Sequence, residues 1–409
     1  MSGKRYLTDL ISRHLKEWRQ MVFIAGPRQV GKTTLARSFL PVYRPGVNYF
    51  NWDVPDHRKI LQTAVFPGKE RLEGEEKKIL IFDEIHKFPR WKNTLKGLFD
   101  LHEPETHWIV TGSAMLNVYR RGQDSLLGRH FTYHLCPFSV AECLNREADS
   151  VPAAIEIAKQ DFERPDIAAQ DVFDALLNYS GFPEPLFKTD KIFLSGWRTT
   201  RLDRLVNQDL ASTEMLRQLP LVEKLMFLLP ERVGSPLSLN SLREDLEVHF
   251  ATVKHWMELL ERVFYGFFVR PYAKKGSRML HKEGKWYLWD WTEIGDEAAR
   301  FENLVAVHLL KYVRFMTDSG RENLSLHYVR DKEKRETDFL VCRDRKPVFL
   351  LECKLSDHVP DPSLFRFARL LGIKDAFQLV KEVVDVRIHK DEDVTLWVMP
   401  AASFLKGLV

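Results

Sequence analysis

This 409-residue chain is poor in cysteine, with four (Cys136, Cys143, Cys342 and Cys353) and no C-x-x-C spacing. Neither a disulfide framework nor a zinc site is expected from that, and a reducing cytoplasm fits. No stretch reaches the 18 apolar residues of a membrane span, and the segment from Met1 to Lys16 is too charged for a signal peptide. Excess charge is also scarce. Lys and Arg number 61 against 57 Asp and Glu, a net +4, so any basic surface for nucleic acid has to be local. Apolar residues are not lacking: 44% is ample for real cores, and the length suggests about two to four domains.

What is present begins with Gly26-Pro27-Arg28-Gln29-Val30-Gly31-Lys32-Thr33-Thr34. It follows the apolar run Val22-Phe23-Ile24-Ala25 and leads into a helical pattern from Leu35 to Phe39. This is strand, glycine loop and helix, with G-x-x-x-x-G-K-T at the joint. Glycines let backbone N–H groups curl around a phosphate, and the helix N-terminus adds its dipole. Lys32 is expected on the β- and γ-phosphates and the Thr33 hydroxyl on Mg²⁺. Gly26, Arg28, Gln29, Val30, Gly31, Lys32, Thr33 and Thr34 thus form the expected cradle for ATP and Mg²⁺.

Some fifty residues later, Lys78-Ile79-Leu80-Ile81-Phe82-Asp83-Glu84 is an apolar run ending in two carboxylates. It reads as a strand buried on both faces of a parallel sheet, with Asp83 at the carboxyl end, where such sheets bind ligands. Asp83 is expected to serve Mg²⁺, and Glu84 to orient or deprotonate the attacking water. Two further strands are expected, at residues 47–51 and 107–113. The polar end of the second would bring Thr111 and Ser113 towards the γ-phosphate. Arg129 is an arginine finger or γ-phosphate sensor, or else a solvated or structural arginine; action in trans would require a homo-oligomer.

Residues 139–228 read as mostly helical, punctuated by Gly181-Phe182-Pro183-Glu184-Pro185. Residues 212–285 read as two helices and a short turn, then two strand-like runs around a basic loop. Between Tyr265 and Lys285 there are six Lys/Arg (Arg270, Lys274, Lys275, Arg278, Lys282 and Lys285) against Glu283. That pattern is a winged helix with a basic wing, and Lys274, Lys275 and Arg278 are the expected contacts to DNA phosphates. A wing that only packs is the alternative.

Near the C-terminal end, two strand patterns flank the polar turn Arg343-Asp344-Arg345-Lys346. A hairpin centred on Arg345 places Asp338 opposite Glu352, with Cβ atoms roughly 4.5–5.5 Å apart. Glu352 and Lys354 share a face. Two carboxylates and a lysine on one patch suit Mg²⁺ and an activated water, and Glu302 on a helix could add another carboxylate. A cross-strand salt bridge is the alternative.

These stretches, together with Phe82-Asp83-Glu84-Ile85-His86, Thr111-Gly112-Ser113, Leu127-Gly128-Arg129, Pro137-Phe138-Ser139 and Gly181-Phe182-Pro183-Glu184, resemble the bacterial and archaeal AAA-type ATPases that carry a C-terminal domain of unknown function. The segment from Glu302 through Asp338 to Glu352 and Lys354 resembles the restriction-endonuclease-like PD-(D/E)xK fold. It departs from that pattern in having Glu336-Thr337-Asp338 in place of Pro-Asp. The resemblance implies an α/β chain: a P-loop core over residues 1–138, a helical lid over 139–211, a winged helix over 212–285 and a nuclease-like domain over 286–409. It implies ATP hydrolysis, and composition adds the expectation of a cytoplasmic protein without membrane contact. The expected task is ATP-driven or ATP-gated processing of DNA, branched or broken DNA among the candidates, with Asp338, Glu352 and Lys354 as a nuclease-like metal site that either cuts or serves only as a binding platform. The alternative is a nucleotide-dependent switch whose C-terminal domain binds a protein partner and cleaves nothing.

Overall fold

The computed structural model describes residues 4–63, 78–88, 90–102, 106–112, 126–160, 166–210, 218–273, 283–356, 359–383 and 385–409. The chain divides into two compact units. One is Lys4–Cys136 with Arg262–Phe264, and the other Pro137–Glu261 with Tyr265–Val409.

The first unit is built on β1 (Met21–Ala25), β2 (Tyr49–Asn51), β3 (Lys78–Asp83), β4 (Thr106–Gly112) and β5 (His130–His134). Their order is β2-β3-β4-β1-β5, and every pairing is parallel. All five residues of β1 are buried, as expected for an uninterrupted apolar run inside a parallel sheet. Phe23, Phe50, Phe82, Trp108 and Val110 pack with Leu95, Leu98 and Phe99 of the helix Trp91–His102. Phe82 and Trp108 stack at 5.1 Å with planes 10° apart. Strands occur at each of the three expected places, as Tyr49–Asn51, Lys78–Asp83 and Thr106–Gly112. β5 is an addition; it follows directly on Arg129.

The second unit has a helical part and an eight-stranded mixed sheet. The helices are Ile167–Tyr179, Pro183–Lys188, Lys191–Arg204, Leu219–Leu228, Leu239–Asp245 and Phe250–Arg262. The Gly181 punctuation has a steric cause. A Cβ there would lie 2.7 Å from the Trp291 ring and 2.8 Å from Pro137, so only glycine fits. Pro183 then opens the next helix at a position where its missing N–H costs nothing.

The sheet contains β6 (Gly266–Pro271), β7 (Lys285–Leu288), β8 (Leu324–Arg330), β9 (Glu336–Arg343), β10 (Lys346–Lys354), β11 (Asp375–Val380), β12 (Arg387–Asp391) and β13 (Val394–Pro400). Its order is β12-β13-β11-β10-β9-β8-β6-β7. The helix Glu297–Asp318, capped by Asp296 accepting from the Ala299 N–H at 2.8 Å, carries Glu302. Helices Leu239–Asp245 and Phe250–Arg262 followed by the antiparallel β6–β7 pair supply the elements expected of residues 212–285. The hairpin also joins the C-terminal sheet, however. β6 pairs in parallel with β8, through Arg270 with His327 and Pro271 with Tyr328, so the hairpin forms one edge of the C-terminal sheet. The expected border at 285/286 therefore falls inside β7. Lys274, Lys275 and Arg278 lie outside the described residues.

Candidate functional site

The phosphate loop leaves the buried end of β1. Gly26 has a φ of 157°, and a Cβ on it would come within 2.2 Å of the Leu135 carbonyl oxygen. Gln29 and Gly31 take left-handed backbone, with φ of 63° and 99°. Such turns gather successive N–H groups into an anion-binding nest. Arg5 braces the loop, its guanidinium donating to the Val30 carbonyl at 2.7 Å and the Cys136 carbonyl at 2.6 Å. Val30 itself is fully buried and acts by packing. Arg28 is half-buried and Thr34 exposed at the start of the helix Lys32–Arg37. The Lys32 ammonium is folded back on the loop, donating to the Gly26 carbonyl at 2.9 Å and the Pro27 carbonyl at 2.7 Å.

Asp83, at the end of β3, is buried and collects three hydroxyls. Thr33 donates at 2.9 Å and Tyr49 at 2.6 Å to Oδ2, and Thr111 donates to Oδ1. β4 lies between β1 and β3, which is why Thr111 at its end reaches the carboxylate. Burial, and then the charge on Asp83, push the Tyr49 hydroxyl well above its ordinary value, so it stays a donor. A hydroxyl and a carboxylate already in contact form the all-oxygen donor set that Mg²⁺ takes, so the residues fit the ion. Glu84 follows in left-handed backbone, φ 56°. Its Oε2 is buried and accepts no hydrogen bond among the described residues, with Lys87 Nζ at 3.4 Å and His86 Nε2 at 3.7 Å. Ser113 lies outside the described residues. Sequence reading missed Arg5 and Tyr49. Tyr49 was visible only as the middle of the strand expected at 47–51.

Arg129 lies at the other end of β1. Its carbonyl accepts from the Met21 N–H at 2.8 Å, so it sits at the start of β1, whereas the phosphate loop leaves the end of β1. The separation along the strand is roughly 13 Å. Its guanidinium pairs with Asp100 at 2.7 and 3.1 Å. The residue does not reach the phosphate loop of its own chain.

The second constellation lies in the C-terminal sheet. β9 and β10 form a hairpin whose turn is Asp344-Arg345, both with positive φ (50° and 65°), as a two-residue type I′ turn requires. The turn is centred half a residue before Arg345. A bulge between Pro347 and Phe349 then restores the expected register, so that Phe339 faces Leu351. Asp338 accordingly meets Glu352, its N–H donating to Glu352 Oε2 at 3.2 Å. Asp338 Oδ2 accepts from the Cys353 N–H at 3.0 Å. Lys354 donates to Glu352 Oε1 at 3.1 Å and pairs with Asp361 at 3.0 Å.

The expected set of Glu302, Asp338, Glu352 and Lys354 is brought together, but a residue from β7 stands among them. Lys285 Nζ lies 3.0 Å from Asp338 Oδ1, 3.3 Å from Glu302 Oε1 and 3.3 Å from Glu336 Oε1. Tyr287 donates to Glu302 Oε1 at 2.5 Å. Burial alone would lower the Lys285 pKa, but Asp338, Glu302 and Glu336 outweigh it and hold the ammonium charged. Burial first, and then the Asp338 charge, push Glu302 up to about 7 and Glu352 up to about 8. Among the described residues, no group of three or more His, Cys, Asp and Glu side chains is arranged to hold a metal ion. As folded, Glu302, Asp338 and Glu352 do not fit Mg²⁺, because the Lys285 ammonium already holds Glu302 and Asp338, and Lys354 with the Asp338 N–H holds Glu352. Sequence reading had assigned Lys285 to the basic wing. Its place just before the alternating aromatic run Trp286-Tyr287-Leu288-Trp289 was the available sign that it begins a buried strand.

The loop, the acidic strand end and the parallel sheet define a P-loop nucleotide-binding core. Residues 18–144 match the family model of an AAA domain. Residues 170–292 match a "Domain of unknown function (DUF8612)" and residues 298–404 a "Domain of unknown function (DUF4143)"; the interval between these two lies beyond β7. An uncharacterized protein of Haemophilus influenzae is 23% identical over 412 residues, covering 93% of this chain and 92% of that one. An uncharacterized protein of Methanocaldococcus jannaschii is 24% identical over 304 residues, covering 68% of this chain and 63% of that one. Among solved structures, the Aeropyrum pernix ORC1 protein in complex with DNA is similar at TM-score 0.28 and 14% identity, covering 73% of this chain and 90% of that one. AMPPCP-bound DnaA from Aquifex aeolicus is similar at TM-score 0.27 and 13% identity, covering 64% and 88%. Likenesses this distant say nothing further about this chain. Among the described residues, no helix is long and apolar enough to cross a membrane.

Proposed function

We propose that this protein is a Mg²⁺-dependent ATPase that couples nucleotide turnover to DNA binding or processing. The contact between Thr33 and Asp83 at 2.9 Å, with Glu84 beside it, carries the first half of this reading. The Gly26–Gly31 amides bind the phosphates, and Lys32 exchanges two loop carbonyls for phosphate oxygens. Thr33 and Asp83 would hold Mg²⁺, which when bound neutralises charge on the β- and γ-phosphate oxygens. Thr111 and Tyr49 fix the Asp83 carboxylate. Glu84 orients the attacking water and takes up its proton. Arg129, far from its own loop, acts on nucleotide only in a neighbouring subunit.

The DNA half rests on the basic segment. With Lys285 buried, Arg270, Lys274, Lys275, Arg278 and Lys282 remain against Glu283 for phosphate contact. The second reading, a nucleotide-dependent switch whose C-terminal domain binds a protein partner and cuts nothing, is favoured by the ammonium inside the carboxylate cluster. No cleavage step is routed through Asp338 and Glu352.

Titrating the ATPase rate with duplex, single-stranded and junction DNA at several salt concentrations separates the readings. The DNA reading expects stimulation and salt-dependent affinity, with the salt slope falling by about three when Lys274, Lys275 and Arg278 are neutralised together. An ATPase indifferent to every DNA favours the switch.

A further inference from the structure

We infer that Lys285 is the resident cation of the Glu302–Glu336–Asp338 cluster, and that the C-terminal site consequently takes no divalent metal. The inference is independent of the ATPase reading, because it concerns residues of the other compact unit.

Three observations carry it. First, apart from Glu302 Oε2, each of these carboxylate oxygens has a polar partner. Both of Asp338 are engaged, by Lys285 and by the Cys353 N–H. Both of Glu352 are engaged, by Lys354 and by the Asp338 N–H. Glu302 Oε1 receives Tyr287 and Lys285, and Glu336 is shared between Lys285 and Arg330 at 3.3 Å each. A divalent ion at roughly 2.0–2.6 Å would have to displace these partners.

Second, the ammonium is not on a loose arm. The Lys285 side chain is 1% exposed. Its strand is held on the open side by the bridge from Pro236 to Lys285 and by the Leu237 N–H donating to the Gly284 carbonyl at 2.9 Å. The second oxygen of Glu302 faces Gly234, where a Cβ would come within 3.0 Å of it.

Third, charge opposes a second cation. An ion placed among these carboxylates would sit within a few ångströms of a buried ammonium, where screening is weak and like charges repel strongly. Expelling the lysine instead would mean opening β7 and with it the edge of the sheet. The cluster is therefore a charge lock. It ties the β6–β7 hairpin to β9 and to the helix Glu297–Asp318, in the place where a nuclease of similar layout keeps its metal.

The deciding experiment uses the full chain without nucleotide and Mn²⁺ alone as the probe, followed by calorimetry or electron paramagnetic resonance. Wild type and Asp338→Asn are expected to give the same Mn²⁺ isotherm into the millimolar range. A Mn²⁺ site present in wild type and lost in Asp338→Asn would overturn the inference. Lys285→Met is expected to gain a Mn²⁺ site, seen also as a Mn²⁺-dependent rise in thermal midpoint, that Lys285→Met/Asp338→Asn lacks. A folded Lys285→Met that gains none would overturn it too. Should Lys285→Met fail to fold, the wild-type comparison decides alone. Lys32→Ala, which tests the ATPase reading, is expected to leave the Mn²⁺ difference between wild type and Asp338→Asn at zero, so the two ideas fail separately.

Discussion

Lys32 and Lys285 are both buried lysines near carboxylates, and their partners differ in kind. Lys32 donates to two neutral carbonyls of its own loop, while the nearby Asp83 is satisfied by three neutral hydroxyls. Exchanging a carbonyl for a phosphate oxygen, or a hydroxyl proton for Mg²⁺, improves the electrostatics at little structural cost. Lys285 has three carboxylates around it within 3.3 Å. Its charge is spent internally, and an incoming ion has to compete with it. An acidic site is thus poised for a ligand when its carboxylates rest on neutral donors, and closed when a fixed cation is built in.

The largest effect that would sharpen this contrast is at the P-loop. Lys32→Ala is expected to abolish ATP turnover, measured as phosphate release, by at least about 10²–10³-fold. A variant that retained near-normal turnover would break the comparison, because Lys32 would then be as internal as Lys285. Glu84→Gln is expected to keep ATP·Mg²⁺ binding and lose about 10²–10⁴-fold in turnover. Steady hydrolysis in that variant would move the base elsewhere.

On the other side, Lys285→Ala strands the buried Asp338 carboxylate together with the part-buried Glu302 and Glu336, and is expected to cost about 3–5 kcal/mol of stability in denaturant titration. Lys354, whose side chain is 28% exposed, is expected to cost about 1 kcal/mol or less on truncation to alanine. Equal losses for the two lysines would contradict the assignment of the buried cation to Lys285.

Arg129→Ala is expected to change turnover less than about twofold at protein concentrations too low for subunits to meet, since the residue lies roughly 13 Å from its own loop. A large loss under those conditions would place it at the nucleotide of its own chain. If the loss appears only as concentration rises, the arginine acts between subunits.

A further effect concerns pH. Burial holds the His308 imidazole down at about 3, against an ordinary 6.5. The Val140 N–H donates to its Nε2 at 3.2 Å, and its Nδ1 contacts the Leu304 carbonyl at 2.8 Å. Lys311 and Glu142 are the charged groups facing it. The unfolded chain takes up this proton first, so the stabilisation is complete above about 6.5 and lost as pH falls towards about 3. His308→Gln is expected to flatten the stability curve over that window. An unchanged acid limb would mean that carboxylates dominate it.

Much of this was legible before any coordinates. The Gly26–Thr34 spacing dictated the loop because only glycine tolerates the contact with Leu135. The apolar run ending at Asp83 and Glu84 dictated a buried strand with its acids at the ligand end. Even the meeting of Asp338 and Glu352 followed from hairpin symmetry, though by way of a bulge at 348 that no local pattern announces. Arg129 misled because a neighbouring motif says nothing about which end of a parallel strand a residue occupies; that depends on β5 pairing with β1. Lys285 misled for a related reason. In sequence it is one more positive charge in a basic stretch, and only the pairing of β6 with β8 carries it into the carboxylates. Composition, spacing and alternation are short-range quantities, so the sequence by itself determined the loop, the strands and the kinds of chemistry. Which charge meets which is set by contacts between residues far apart in the chain, such as Lys285 and Asp338, and only the tertiary structure decided that.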